Sequence, residues 1–310
     1  MNISNGKHYT DLVKEARFKP HPLVTLVLFT MVFFGTQFLS GIPIFAAMLA
    51  FGTPGKTELG IPTMVIADEY AVWYTIIQLM STILTAATVI LFCRFAEGRS
   101  LRSMGFVREG WWKKYLLGLG MGFAMFSAAV GISVLGGGTE YIGTGMGAGT
   151  ALQYALLCVG WLIQGAEEEI VLRGYLMPSL SAKLPLWAAV LISSVFFSAM
   201  HLLNTGFTLM AFLNILLIGV AFALVAIRTD SLFTCCAMHS VWNWAQGNFY
   251  GLPVSGIEAG PSVLRFSLTD EKLWSGGAFG IEASLPSLIV ELAVIALLLF
   301  LPQKKKTAEN

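Results

Sequence analysis

The run Gln164-Gly165-Ala166-Glu167-Glu168-Glu169-Ile170-Val171-Leu172-Arg173-Gly174 closes an apolar stretch, residues 151–174, that is long enough to cross a membrane. Near the bilayer centre a single acidic side chain costs about 2.5–3.5 kcal/mol on insertion scales, so three in succession need partners and a task. On a helix Glu169 and Arg173 are i,i+4 neighbours able to pair, while Glu168 points about 100° away. One carboxylate is neutralised and one is left for use.

The rest of the 310-residue chain is 56% hydrophobic and 12% charged, with its apolar residues in long blocks rather than amphipathic stripes. That composition is that of a polytopic membrane protein. Blocks of membrane-spanning length lie at 23–51, 72–95, 115–135, 151–174, 184–203, 207–227, 231–250 and 284–301, so the expected fold is all-α. About eight transmembrane helices form a bundle with an intramembrane polar cavity. The first block is overlong and carries Gly41-Ile42-Pro43, which predicts an interruption and a short interfacial turn.

Charge is sorted along the chain. Lys7, Lys14, Arg17 and Lys19 precede the first span; Arg94, Arg99, Arg102, Arg108, Lys113 and Lys114 separate the second and third. Arg173 and Lys183 follow the fourth, Arg228 the sixth and Lys304–Lys306 the eighth, whereas the alternate loops hold Glu58, Asp68, Glu69, Glu140, Glu258, Asp270, Glu271 and Glu282. By the positive-inside rule both termini are cytoplasmic, and the even span count agrees. The basic stretch 94–114, with Trp111 and Trp112, joins two spans and reads as a headgroup-facing connection, not a nucleic-acid patch.

No cleaved signal segment is read at the N-terminus, and no repeat or linker divides the chain, so residues 1–310 are taken as one membrane domain. Cys93, Cys158, Cys235 and Cys236 lie in or beside spans, in no disulfide or zinc-finger spacing. The long connection 251–283 is read as crossing the surface rather than as a lid. Glu291, inside the last span, is expected near enough the outer interface to reach water.

The fifth span ends in Phe197-Ser198-Ala199-Met200-His201, and the seventh contains His239-Ser240-Val241-Trp242-Asn243, where His239 and Asn243 share a helical face. Two imidazoles, a free carboxylate and a carboxamide supply a base and oxyanion donors for water-mediated hydrolysis. They also supply possible zinc ligands. Gly-x-Ser-x-Gly and His-Glu-x-x-His are absent, which excludes the corresponding serine hydrolase and zincin patterns.

The three motifs Glu168-Glu169…Arg173, Phe197…His201 and His239…Asn243 resemble, in order, those of the CAAX prenyl protease and bacteriocin-processing (CPBP, Abi) family of intramembrane proteases. Arg228-Thr229-Asp230-Ser231-Leu232 and Asn214 look like that family too, and the likeness covers roughly residues 150–250, the expected protease core. It implies an eight-span bundle and an endopeptidase acting on membrane-embedded or membrane-anchored peptides. By motif position, Glu168 would activate the water, with Glu169 and Arg173 holding helix and charge. His201 would share the water, and His239 and Asn243 would stabilise the oxyanion. Either no cofactor is needed, or Glu168, His201 and His239 hold zinc at an open three-ligand site.

The alternatives are a non-catalytic binding, scaffolding or bacteriocin-immunity protein, and a proton-coupled transporter, against which the lack of inverted repeats counts. Nothing in the chain reads a prenyl group. The short termini point to a bacterial protein of the plasma membrane, with a peptide precursor or membrane-protein stub as substrate. Counted at about 1.5 Å per residue, Glu168 and His201 fall near opposite faces of the membrane, so at least one span boundary must shift for them to meet.

Overall fold

A computed structural model describes residues 8–56, 62–258 and 260–300. Lys7, Glu58, Lys304–Lys306 and the end of the last apolar block lie outside the described residues. Helices dominate, as expected where backbone polar groups must be satisfied within the segment. In chain order the long ones are α1 (Pro22–Phe51), α2 (Asp68–Ala96), α3 (Trp111–Leu135), α4 (Ala151–Glu169 and its continuation), α5 (Leu186–Ala199), α6 (Leu209–Thr229), α7 (Leu232–Trp244, extended by Ala245–Phe249) and α8 (Leu285–Phe300). Among the described residues α1, α2, α3 and α6 are long and apolar enough to cross a membrane, and α5 and α8 are shorter apolar helices. The protein is an all-α membrane protein, with two small two-stranded sheets that the sequence reading did not anticipate. They are β1 (Gly52–Lys56) against β2 (Pro62–Ile66), and β3 (Thr139–Gly143) against β4 (Arg265–Leu268), both antiparallel.

The first apolar block is not interrupted. α1 runs 30 residues straight through Pro43, because a proline in a membrane helix is tolerated where neighbours take over the freed backbone. Ser40, one turn earlier, is hydrogen-bonded to Thr85 of α2 (2.9 Å).

The fourth helix also departs from expectation. After Glu169 it continues through a π-helical stretch, Ile170–Leu176, into Met177–Ser181, so it ends roughly 10 Å beyond Gly174. From the turn at 182–185, α5 climbs back for only 14 residues. Glu168 and His201 therefore each stand roughly 20 Å from that shared turn. The mismatch in depth disappears.

α7 is the central helix: Leu232 and every residue from Thr234 through Asn243 are buried. It lies close against α3 because Gly118 and Gly122 present no side chain there; a Cβ on either would collide with the carbonyl oxygens of Thr234 and Met238. Gly122→Val is expected to cost roughly 1–3 kcal/mol by forcing the two backbones apart. A thermal midpoint in detergent unchanged from the parent's would show that the contact does not hold α7.

One residue of the presumed headgroup-facing connection does not face outward. Arg99 is 1% exposed and donates from Nη2 to the carbonyls of Gly174 and Ser103 (both 2.8 Å), from Nη1 to Ser179 Oγ (3.0 Å) and to Glu97 (3.4 Å). Its guanidinium ties the π-helical stretch of α4 to the connection after α2. Burial pushes the Glu97 carboxyl above the usual carboxylate range, and Arg99 pulls it back. The N-terminal segment is anchored too: Asp230 adopts a left-handed conformation (φ 48°) at the end of α6 and accepts the Tyr9 N–H (2.9 Å).

Candidate active site

A cavity of about 300 Å³ opens within the bundle, at the small end of the range for ligand sites. α4 supplies Gln164, Glu167 and Glu168 to its wall, α7 supplies His239 and Asn243, and His201 enters just past the end of α5. The three sequence motifs thus meet in one enclosure. Apolar surface from α6 and from Phe197 completes the wall, which lowers the local dielectric and strengthens every charge interaction inside.

Glu169 turns away from this cavity. It and Arg173 are both 0% exposed and are joined at 2.9 Å. Glu169 Oε1 also receives His239 Nδ1 (2.9 Å), and Oε2 receives the Cys235 thiol (2.6 Å). Arg173 donates further to the Gly219 carbonyl (2.8 Å), and its guanidinium lies over the Phe197 ring, 4.7 Å from the centroid. A carboxylate so surrounded is occupied on both oxygens. Its work is to hold α4, α6 and α7 in register.

That occupation decides the histidine. Because ionised Glu169 only accepts, the His239 nitrogen facing it carries the proton, which assigns Nδ1–H and leaves Nε2 toward the cavity. The ring is further fixed by stacking on Phe222 (centroids 4.8 Å apart, 22°). His239 Nε2 lies 3.4 Å from Glu168 Oε2. That oxygen is buried and makes no hydrogen bond within the protein. Asn243 is oriented by donating Nδ2–H to Gln164 Oε1 (2.8 Å), a partner whose role the motif reading missed. His201 Nδ1 is engaged by the carbonyl of Phe197 one turn back (2.9 Å), leaving its Nε2 available to the cavity.

Among the described residues no three His, Cys, Asp or Glu side chains gather as a group able to hold a metal ion, Glu168, His201 and His239 included.

Two further expectations change. The connection 251–283 does not simply cross the surface: Val254, Ser255, Ile257 and Glu282 line the cavity. Glu282 clamps that connection by accepting from Ser255 N–H (2.8 Å), Ser255 Oγ–H (2.7 Å) and Trp242 Nε1–H (3.2 Å), while Asn214 donates to the carbonyls of Glu282 and Ser284. Glu291 does not reach out to an interface; it is 1% exposed and faces the same cavity. The first half of the chain also contributes, through Gln37 and Gln78. These two carry no charge and no periodic signal, so nothing in the sequence singled them out.

A search of curated proteins finds no match to this chain. Residues 150–245, which hold α4 through α7 with Glu167–Glu169, Arg173, His201, His239 and Asn243, do match a family model, that of type II CAAX prenyl endopeptidases, Rce1-like. That segment of this multi-pass membrane protein is thus similar to the Rce1-like type II CAAX prenyl endopeptidases, in agreement with the resemblance its three motifs carry.

Proposed function

We propose that the protein is an intramembrane endopeptidase in which Glu168 activates water against a peptide bond of a membrane-associated substrate. The observation that carries this reading is the contrast between adjacent carboxylates: Glu169 is fully partnered, while Glu168 presents a buried oxygen without a hydrogen bond to a cavity it shares with His201, His239 and Asn243. Glu168 takes a proton from water as the water oxygen attacks the carbonyl carbon. The tetrahedral oxyanion is met by Asn243 Nδ2–H and, in the imidazolium form, by His239 Nε2–H. Glu168 then passes the proton to the departing amine as the C–N bond breaks. His201 Nε2 helps to position the water. Glu169 and Arg173 act at one remove, by holding His239 and α4. The steps written here pass through no metal, a reading supported by the lack, among the described residues, of a group of three His, Cys, Asp or Glu side chains placed to hold one.

Eight crossings by α1 to α8, with both termini in the cytoplasm, are the topology we infer from the charge pattern. α5 then spans only part of the core, since 14 residues rise about 21 Å against a core of about 30 Å. That shortness is what leaves His201 at depth.

The test is hydrolysis of a broad quenched-fluorescence peptide library by the purified protein in liposomes, with and without a strong chelator such as 1,10-phenanthroline. Cleavage that survives the chelator is expected. Cleavage that the chelator abolishes and zinc restores would overturn the metal-free mechanism, and binding of peptides without cleavage would favour the scaffold reading.

A further inference from the structure

Four carboxylates, Glu167, Glu168, Glu282 and Glu291, line the cavity, and no Lys or Arg among the described residues does. Arg173, nearby on α4, is sealed off against Glu169 and two aromatic faces. These carboxylates are not equivalent. Both oxygens of Glu282 are taken by Trp242 and Ser255, and Glu168 is the water's base. Glu167 and Glu291 remain, each with one buried oxygen that has no hydrogen-bond partner; Glu167 stands on α4 next to the base, whereas Glu291 comes from α8, outside the matched segment 150–245. A buried carboxylate oxygen left open, facing a cavity, calls for a partner that arrives from outside.

We infer that Glu291 forms a subsite for a cationic side chain, Lys or Arg, of the peptide substrate, so that the enzyme selects substrates with a basic residue near the scissile bond. This rests on the protease reading of the cavity and adds to it a substrate class. An acidic, low-dielectric pocket without fixed cations attracts a positive group over a neutral or negative one. Charge-assisted hydrogen bonds to the open oxygen of Glu291 would satisfy it. A neutral, protonated Glu291 bonded to neutral substrate groups is the competing outcome.

The test uses Glu168→Gln protein in nanodiscs, so that substrates bind without being cut. The probes are fluorescent, palmitoylated peptides in which each position in turn is Lys, norleucine or Glu, and binding is read by anisotropy. At one position Lys is expected to bind about tenfold more tightly than norleucine, with Glu weakest. Adding Glu291→Gln is expected to bring Lys and norleucine within twofold. Glu291→Leu, suited to an apolar interior, is the second variant should the amide disturb the fold.

No preference for Lys at any position, no binding of any peptide, or a preference that persists without the Glu291 carboxylate would overturn the inference. Hydrolysis by the parent protein is measured on the same peptides. A Glu291-dependent Lys preference with no cleavage would sink the protease reading while leaving the cationic subsite standing.

Discussion

Glu168→Gln is expected to lower peptide hydrolysis on the order of 10⁴-fold, the upper end of what a positioned general base contributes. The amide keeps the shape of the carboxylate but cannot take a proton from water. Binding of substrate should change little by comparison, so the loss belongs in kcat. Glu168 lies beside the cavity rather than inside the Glu169–Arg173 cluster, so the folded protein should survive the change with an unchanged thermal midpoint. Glu167 is the informative control, because it also lines the cavity with a buried, unpartnered oxygen. If Glu167→Gln silenced the enzyme while Glu168→Gln did not, the assignment of the base would move by one residue, or 100° around α4. Retained hydrolysis in both variants would end the glutamate mechanism.

Arg173→Met should act in the opposite way, on the fold before the chemistry. Removing one member of a buried ion pair leaves the other charge without compensation and costs about 3–5 kcal/mol. Here the orphan would be Glu169, 0% exposed, and the Gly219 carbonyl would lose its donor as well. Unfolding in denaturant or by steric trapping in detergent should register the loss. The double change Glu169→Gln with Arg173→Met should recover part of it, since no unpaired charge then remains inside. A single-variant cost below about 1 kcal/mol would mean that the pair is hydrated and that its burial has been misjudged. Activity should fall in the single variant even under stabilising conditions, because His239 is oriented through the same carboxylate.

Much of the site was legible because membranes make intramembrane polarity expensive. Glu168, Glu169, Arg173, His201, His239 and Asn243 stood out against apolar spans, and i,i+4 spacing alone paired Glu169 with Arg173 and separated Glu168 from them. Polar residues that look ordinary in sequence were invisible as partners. Gln164 orients Asn243, and Cys235 caps Glu169, contacts that join residues 79 and 66 positions apart. Local spacing carries no information across such distances.

Sequence by itself determined the class of protein, the segments that become long helices and the pairing of Glu169 with Arg173, since composition, length and helical periodicity depend on neighbours along the chain. Tertiary structure alone decided that α4 runs on to Ser181, that α1 passes unbroken through Pro43, that Arg99 is buried and that Glu291 joins the cavity. Each of these depends on what another helix offers. A backbone carbonyl, a glycine face or a neighbouring wall can satisfy or shield a polar group, and only packing brings that partner within reach.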